Sequence, residues 1–260
     1  MTNQEFSNEF STLLNSYGSI GEFGDQASGQ EIVLDEYEKS LLLTQAQNII
    51  VRSSSERTLN PQGQGFDDSA TRQTDFSSLI KVATLLPVSN STTGTFDSRG
   101  IIYQLPLRTD NSAEVLFIVN EKLQMVKTSG SVVVAEYVIK PISAQEYDRQ
   151  MSKAFAKPLK KQAWRLFQNK NTGFDAMSEL IPRDALPAGH TWTYKLRYVK
   201  RPRPIVLEDM PDGLAIDGVS TASECELNPI LHVDILHKAV ELAIATRGRR
   251  SVPQQNQQQQ

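Results

Sequence analysis

The sequence predicts an α+β protein: a helical bundle formed by the N- and C-terminal helices, with a β-rich antiparallel middle region. Three observations carry this. Apolar residues recur at helical spacing in residues 2–17, 34–52 and 230–246. Between them, runs rich in β-branched and aromatic residues alternate with turn-forming stretches from Leu79 to Val199. The 260 residues, 39% hydrophobic and 22% charged, suffice for one large domain or two small ones. The chain divides on this reading into residues 1–56 (N-terminal helices), 57–220 (β-rich domain), 221–248 (C-terminal helix) and 249–260 (Gln-rich tail).

Thr2 and Glu5 have capping-box spacing, and Phe6, Phe10, Leu13, Leu14 and Tyr17 then follow on one helical face. Asp35 and Glu38 open a second helix, whose stripe runs from Leu34 through Leu41, Ala46 and Ile49 to about Arg52. Residues 53–75 are polar and hold Pro61, Gly63 and Gly65, so they read as a long loop. Strands are expected at 79–88, 100–107, 115–126, 132–139, 163–168, 176–181 and 191–199, with a short helix near 143–154 capped by Ser143 and Glu146. In the last strand Trp192, Tyr194, Leu196 and Tyr198 alternate with Thr193, Lys195 and Arg197, the period of a strand with one buried face. Pro202 and Pro204 deny regular hydrogen bonding to the segment that follows, which reads as an extended arm near 200–210. Asn228 and Pro229 start a final helix so apolar around its circumference that it is expected to be buried on most sides, within the bundle or against another subunit. The tail RGRRSVPQQNQQQQ reads as disordered on its own.

Little chemistry is legible. No apolar run reaches the ~18 residues of a membrane-spanning helix, and MTNQEFSNEF lacks the features of a secretory signal. Cys225 is the only cysteine, which excludes an internal disulfide and points to folding in a reducing cytoplasm. His232 and His237 stand about 140° apart on their helix and do not converge on a metal. His190 falls in a turn. Asp67–Asp68 and Glu208–Asp209 are adjacent acidic pairs in loops, better read as solvated than as cation sites. No HExxH, GxSxG, Walker or GxGxxG pattern occurs. No catalytic residue, metal ligand or cofactor-binding residue is assigned; the chain is read as not an enzyme, with no cofactor.

Charge is more informative. Residues 1–48 hold eight acidic residues against Lys39 alone, whereas residues 149–203 hold thirteen Lys and Arg against Asp175, Glu179 and Asp184. The candidate basic surface comprises Lys160, Lys161, Arg165, Lys195, Arg197, Lys200, Arg201 and Arg203. It reads as a phosphate-contacting face, a solvated sheet face or, preferred here, a surface that docks on an acidic protein.

Three segments together resemble a known family: LDEYEKSLLLTQAQNIIV (34–51), YKLRYVKRPRPIVLEDM (194–210) and CELNPILHVDILHKAVELAIA (225–245), with PLKKQAWRL (158–166) as a fourth. Their order and spacing are similar to those of head-to-tail adaptor (connector or ring) proteins of short-tailed bacteriophages, nearest to the tail-neck ring proteins of crAss-like phages. The resemblance implies a non-enzymatic virion part of the neck or tail, assembled in the host cytoplasm. It implies a homo-oligomeric ring, commonly a dodecamer, with a portal protein above, a tail or further ring protein below, and DNA passing through the lumen. Leu231, Ile235, Leu242, Arg247, Arg249, Arg250 and Gln254 are the residues expected at a subunit or portal interface. Another tail-ring or tail-tube component, or a DNA-packaging accessory protein, is the alternative reading.

Overall fold

The computed structural model describes residues 1–18, 33–55, 70–88, 95–108, 114–153, 158–169, 176–211 and 213–250. The chain forms two compact units, Met1–Leu79 with Pro202–Gln260, and Ile80–Arg201.

In the first unit, α1 (Asn3–Gly18) and α2 (Glu36–Ser55) each pack on α5 (His232–Arg250) but scarcely touch one another. The α1 capping box is reciprocal: the Thr2 amide donates to Glu5 Oε2 at 2.8 Å and the Glu5 amide to Thr2 Oγ1 at 3.3 Å. Asp35 caps α2 by accepting from the Glu38 amide at 2.7 Å. Phe6, Phe10 and Leu14 of α1, Leu43, Ala46 and Val51 of α2, and Ile235, Leu236, Ala239, Val240 and Ala243 of α5 are buried. His232 begins α5 with its ring buried, 5.2 Å from the Phe6 ring by centroids, its Nε2 donating to the Leu227 carbonyl at 3.1 Å and its Nδ1 2.9 Å from the Met1 amine.

The extended arm is the remaining wall of this unit. Four helical residues advance about 6 Å and two extended residues about 6.6 Å, so side chains one helical turn apart match alternate residues of an extended chain. Ser40, Thr44 and Gln47 of α2 use this match. Ser40 Oγ accepts from the Leu207 amide at 3.0 Å. Thr44 Oγ1 accepts from the Ile205 amide at 3.1 Å and donates to the Ile205 carbonyl at 3.2 Å. Gln47 Nε2 donates to the Arg203 carbonyl at 3.0 Å. Val206 bonds instead to Ser223, amide to carbonyl in both directions at 3.1 and 2.9 Å, and the Pro204 carbonyl accepts from Ser223 Oγ. Pro202 and Pro204 have no amide to satisfy.

The second unit is built on one seven-stranded sheet: β1 (Ile80–Leu85), β2 (Ile101–Gln104), β3 (Val115–Lys127), β4 (Val133–Pro141), β5 (Gln162–Asn169), β6 (Ala176–Pro182) and β7 (His190–Lys200), in the order β1-β7-β3-β4-β5-β6-β2. Tyr103 of β2 and Tyr194 of β7 lie near opposite ends of that order, yet their rings approach to 5.3 Å, so the sheet curls around its own core. That core holds Tyr103, Leu123, Tyr137, Ala163, Leu180, Trp192, Tyr194, Leu196 and Tyr198. On the other face, α4 (Ala144–Met151) lays Tyr147 over Trp164, Leu166 and Ile181. The Ser143 side chain caps α4 by accepting from the Glu146 amide.

An acidic knot fixes the start of β2. Glu179 of β6 is fully buried and accepts from the amides of Phe96 and Asp97 at 2.9–3.0 Å. A Cβ at position 100 would fall 1.8 Å from Glu179 Oε1, so glycine is required there. Asp97 accepts from Arg99 Nη2 at 2.9 Å and from the Tyr147 hydroxyl at 2.6 Å. Burial pushes the Asp97 carboxyl up, but these bonds outweigh it and hold it at about 2.

Two expectations are corrected. The sheet is mixed, not antiparallel: β5 runs parallel to β4, because α4 lies in the crossover connection between them. The chain ends do not form the expected helical bundle: among the described residues helices are few, the mixed sheet is the larger element, and an extended arm, not another helix, lies along α2. Two smaller differences follow. Residues 70–75 of the expected loop form helix α3, while 56–69 lie outside the described residues. Helix α5 is buried along one stripe only, leaving Val233 exposed.

Thr44→Val is expected to leave the Ile205 amide and carbonyl buried without partners, lowering stability by about 2 kcal/mol, with Thr44→Ser recovering most of it in denaturant melts. The Asp97 carboxyl is lowered on folding from 3.8, so its contribution, about 2 kcal/mol, is complete above pH ~5 and fades as pH falls toward 2. Asp97→Asn should flatten melting temperature against pH in that window. Burial, reinforced by the Met1 ammonium and opposed by the Leu227 carbonyl, holds His232 below its usual value of 6.5. Its neutral form is favoured in the fold, so stability should decline as pH falls below ~6.5, and His232→Gln should remove that slope.

Candidate assembly surface

The alternation of β7 turns Trp192, Tyr194, Leu196 and Tyr198 inward and presents Lys195 and Arg197 outward. Register places Lys195 between Thr84 of β1 and Lys122 of β3, and Arg197 between Val82 and Asn120. Lys122 also faces Val138 of β4. Val82, Asn120, Lys122, Lys195 and Arg197 line one shallow depression. Lys122 and Lys195 are like charges directly opposite one another, an arrangement that destabilises a sheet unless something offsets it. Glu136 does so in part. Its carboxylate accepts from Gln124 Nε2 at 2.6 Å and lies 3.2 Å from Lys122 Nζ, and these two bonds hold it below the usual carboxylate range.

The other basic residues are dispersed. Arg165 is not on the surface: it is buried inside the curled sheet, its Nε 3.5 Å from Glu121 Oε1, while the Tyr194 hydroxyl donates to Glu121 Oε2 at 2.7 Å. Burial pushes the Glu121 carboxyl up against the pull of Arg165 and Tyr194. Lys160 and Lys161 are exposed in the turn before β5, where Lys161 takes a φ of 60° and its carbonyl accepts from the Val138 amide. Lys200 is half-buried at the end of β7. Arg201 is exposed, its amide bonded to the Glu114 carbonyl at 2.8 Å. Arg203, on the arm, lies 3.7 Å from Glu226. Of the eight, only Lys195 and Arg197 share the depression.

The expected interface residues of the last helix divide as well. Leu231 and Ile235 are buried within the chain itself, and Leu242 is half-buried. Arg247, Arg249 and Arg250 occupy the last turns of α5, and Gln254 lies outside the described residues. The apolar side chains this region turns outward are Ile230 and Val233. Lys122, Val82 and Val138 also escaped the sequence reading, although Asn120, Lys122 and Gln124 alternate there with Leu123 and Met125.

Among the described residues no group of three His, Cys, Asp or Glu side chains is placed to hold a metal ion. His232 is buried, whereas His237 is exposed. Asp67 and Asp68 lie outside the described residues, and Asp209 accepts from the Ala222 amide at 2.8 Å. Burial pushes the Cys225 thiol up to about 11, away from a reactive thiolate. Among the described residues no helix is long and apolar enough to cross a membrane.

Relatives match this chain over nearly its whole length. Ring protein 4/5 of Bacteroides phage crAss001 is 41% identical over 249 residues, covering 94% of this chain and 93% of the relative. Ring protein 3 of the same phage is 34% identical over 251 residues, covering 95% and 96%. The sequence model described as phage tail ring protein 3/4 matches residues 1–255, both compact units included. The chain therefore belongs to the phage tail ring protein 3/4 family.

Proposed function

We propose that this tail ring protein is a head-to-tail adaptor: a non-enzymatic subunit of a homo-oligomeric ring, twelve-fold, stacked between the portal and the tail with DNA passing through its lumen. The observation that carries this reading is the family match from residue 1 to 255, which takes in the helical unit and the sheet unit together. The exposed apolar residues Ile230, Val233, Val82 and Val138 support it, since an assembly subunit turns such residues toward neighbours. The ring forms in the host cytoplasm and is carried in the virion neck. Its C-terminal segment, with Arg247, Arg249, Arg250 and Gln254, reaches the portal.

A second reading, a DNA-packaging accessory protein, draws on the cations Lys122, Lys195 and Arg197 and requires salt-sensitive binding of duplex DNA by the free monomer. Another tail ring or a tail-tube component differs from the adaptor only in its position along the tail axis.

Cryo-electron microscopy of purified virions tests the adaptor reading. Density for this chain in a ring next to the portal is expected; a position farther down the tail, or absence from virions, overturns it. Truncation after Gly248 is expected to abolish incorporation into virions while the isolated protein stays folded, and unchanged incorporation would remove the portal-contact role.

A further inference from the structure

Two exposed faces of this chain carry matching apolar character and opposite charge. The first is the outward arc of α5. Val233, Asp234, His237 and Glu241 fall within about 100° of its circumference, and Ile230 in the preceding turn extends that arc. Ile230 is 71% exposed and Val233 51%. Asp234 forms no ion pair among the described residues, while Glu241 lies 2.8 Å from Lys238. The second is the uncovered half of the sheet, where Val82 (70% exposed) and Val138 (69%) flank Lys122, Lys195 and Arg197. The Lys195 and Arg197 side chains form no hydrogen bond or short ion pair among the described residues; Lys195 faces a like charge across the ladder, and its charge also draws on the Glu136 carboxylate. Of the three cations in the depression, only Lys122 has a close carboxylate, that of Glu136.

We propose that the uncovered β1-β7-β3-β4 face of one copy receives the outward arc of α5 from a second copy, valines against Ile230 and Val233, and Lys122 and Lys195 against Asp234. This deepens the ring reading above and rests on it. The dimensions agree. Ile230 to Glu241 spans about 16 Å of helix, and four strands span about 14 Å. The flanking valines favour a protein occupant over nucleic acid, which would place phosphates and sugars on them. So does the chain's net charge of −3. The contact joins two different faces, so every copy offers one of each. Such a heterologous contact closes into a ring when its rotation permits.

Charge exchange in the full-length protein tests this, read by mass photometry and sedimentation over a concentration series. Lys122→Glu with Lys195→Glu, and separately Asp234→Lys, should each raise the concentration needed for assembly at least about tenfold. A chain carrying all three substitutions restores an attractive pair and should assemble near the wild-type concentration. All substituted positions are on the surface, and unchanged circular dichroism and melting confirm the fold of each variant. If the wild type forms rings and both reversals assemble as well as it does, the contact is wrong while the ring reading stands. If the reversals block assembly and the triple variant stays monomeric, the pairing is wrong. If reversal instead abolishes duplex DNA binding and leaves the ring intact, the cations serve nucleic acid and the contact is overturned. If wild-type protein is monomeric at every concentration and absent from virion rings, the ring reading falls and this contact with it.

Discussion

The constraint on which the first unit depends is the pairing of an extended chain with one side of a helix. Arg203 to Leu207 has no neighbouring strand along most of its length, yet Ile205, Val206 and Leu207 are buried. Each buried peptide group left without a partner costs about 1–3 kcal/mol, enough to offset the burial of an apolar side chain beside it. Ser40, Thr44 and Gln47 answer this from α2, Ser223 answers it from the other side, and the two prolines reduce the number of amides that need an answer.

The second unit solves a comparable problem with charge. Its curled sheet encloses Glu121 and Arg165 on one face and pins a loop to Glu179 on the other. Buried ion pairs are weak evidence for stability, since desolvation consumes most of their attraction. Their value here is positional. The Tyr194 hydroxyl and the Arg165 guanidinium converge on one carboxylate from different strands, which ties β7, β3 and β5 in a single register. On the exterior, by contrast, Lys195 and Arg197 are held out by the same alternation that buries the tyrosines.

Much of this was legible in the residues. Capping pairs at Thr2 and Glu5, at Asp35 and Glu38, and at Ser143 and Glu146 mark helix starts through local hydrogen bonds, and those bonds form. Seven strands stand where β-branched and aromatic runs lie. What stayed hidden is non-local. Parallel pairing of β5 with β4 depends on which way a crossover returns, and no property of either strand encodes that. Arg165 reads as one more surface cation until its partner Glu121, forty-four positions earlier, is found beside it. The apolar abundance of α5 predicted burial on most sides because composition counts residues and not neighbours; α1 and α2 pack on one stripe of it, and Ile230 and Val233 stay outward. Of the candidate surface, Lys195 and Arg197 were read directly, whereas Lys122, Val82 and Val138 join them only through register.

The sheet unit leaves and rejoins the chain through adjacent rungs of one ladder: Ile80, its first residue, pairs with Val199, two residues before its last. Paired Cα atoms in such a ladder lie only about 5 Å apart. A module whose two ends are stitched so closely asks little of its host beyond a gap of that width. Substitutions on the outer face of the insert therefore need not disturb the hydrogen bonds that seat the arm on α2. The two crAss001 ring proteins at 41% and 34% identity span nearly the whole chain, so both the insert and the unit that hosts it fall within the matched length.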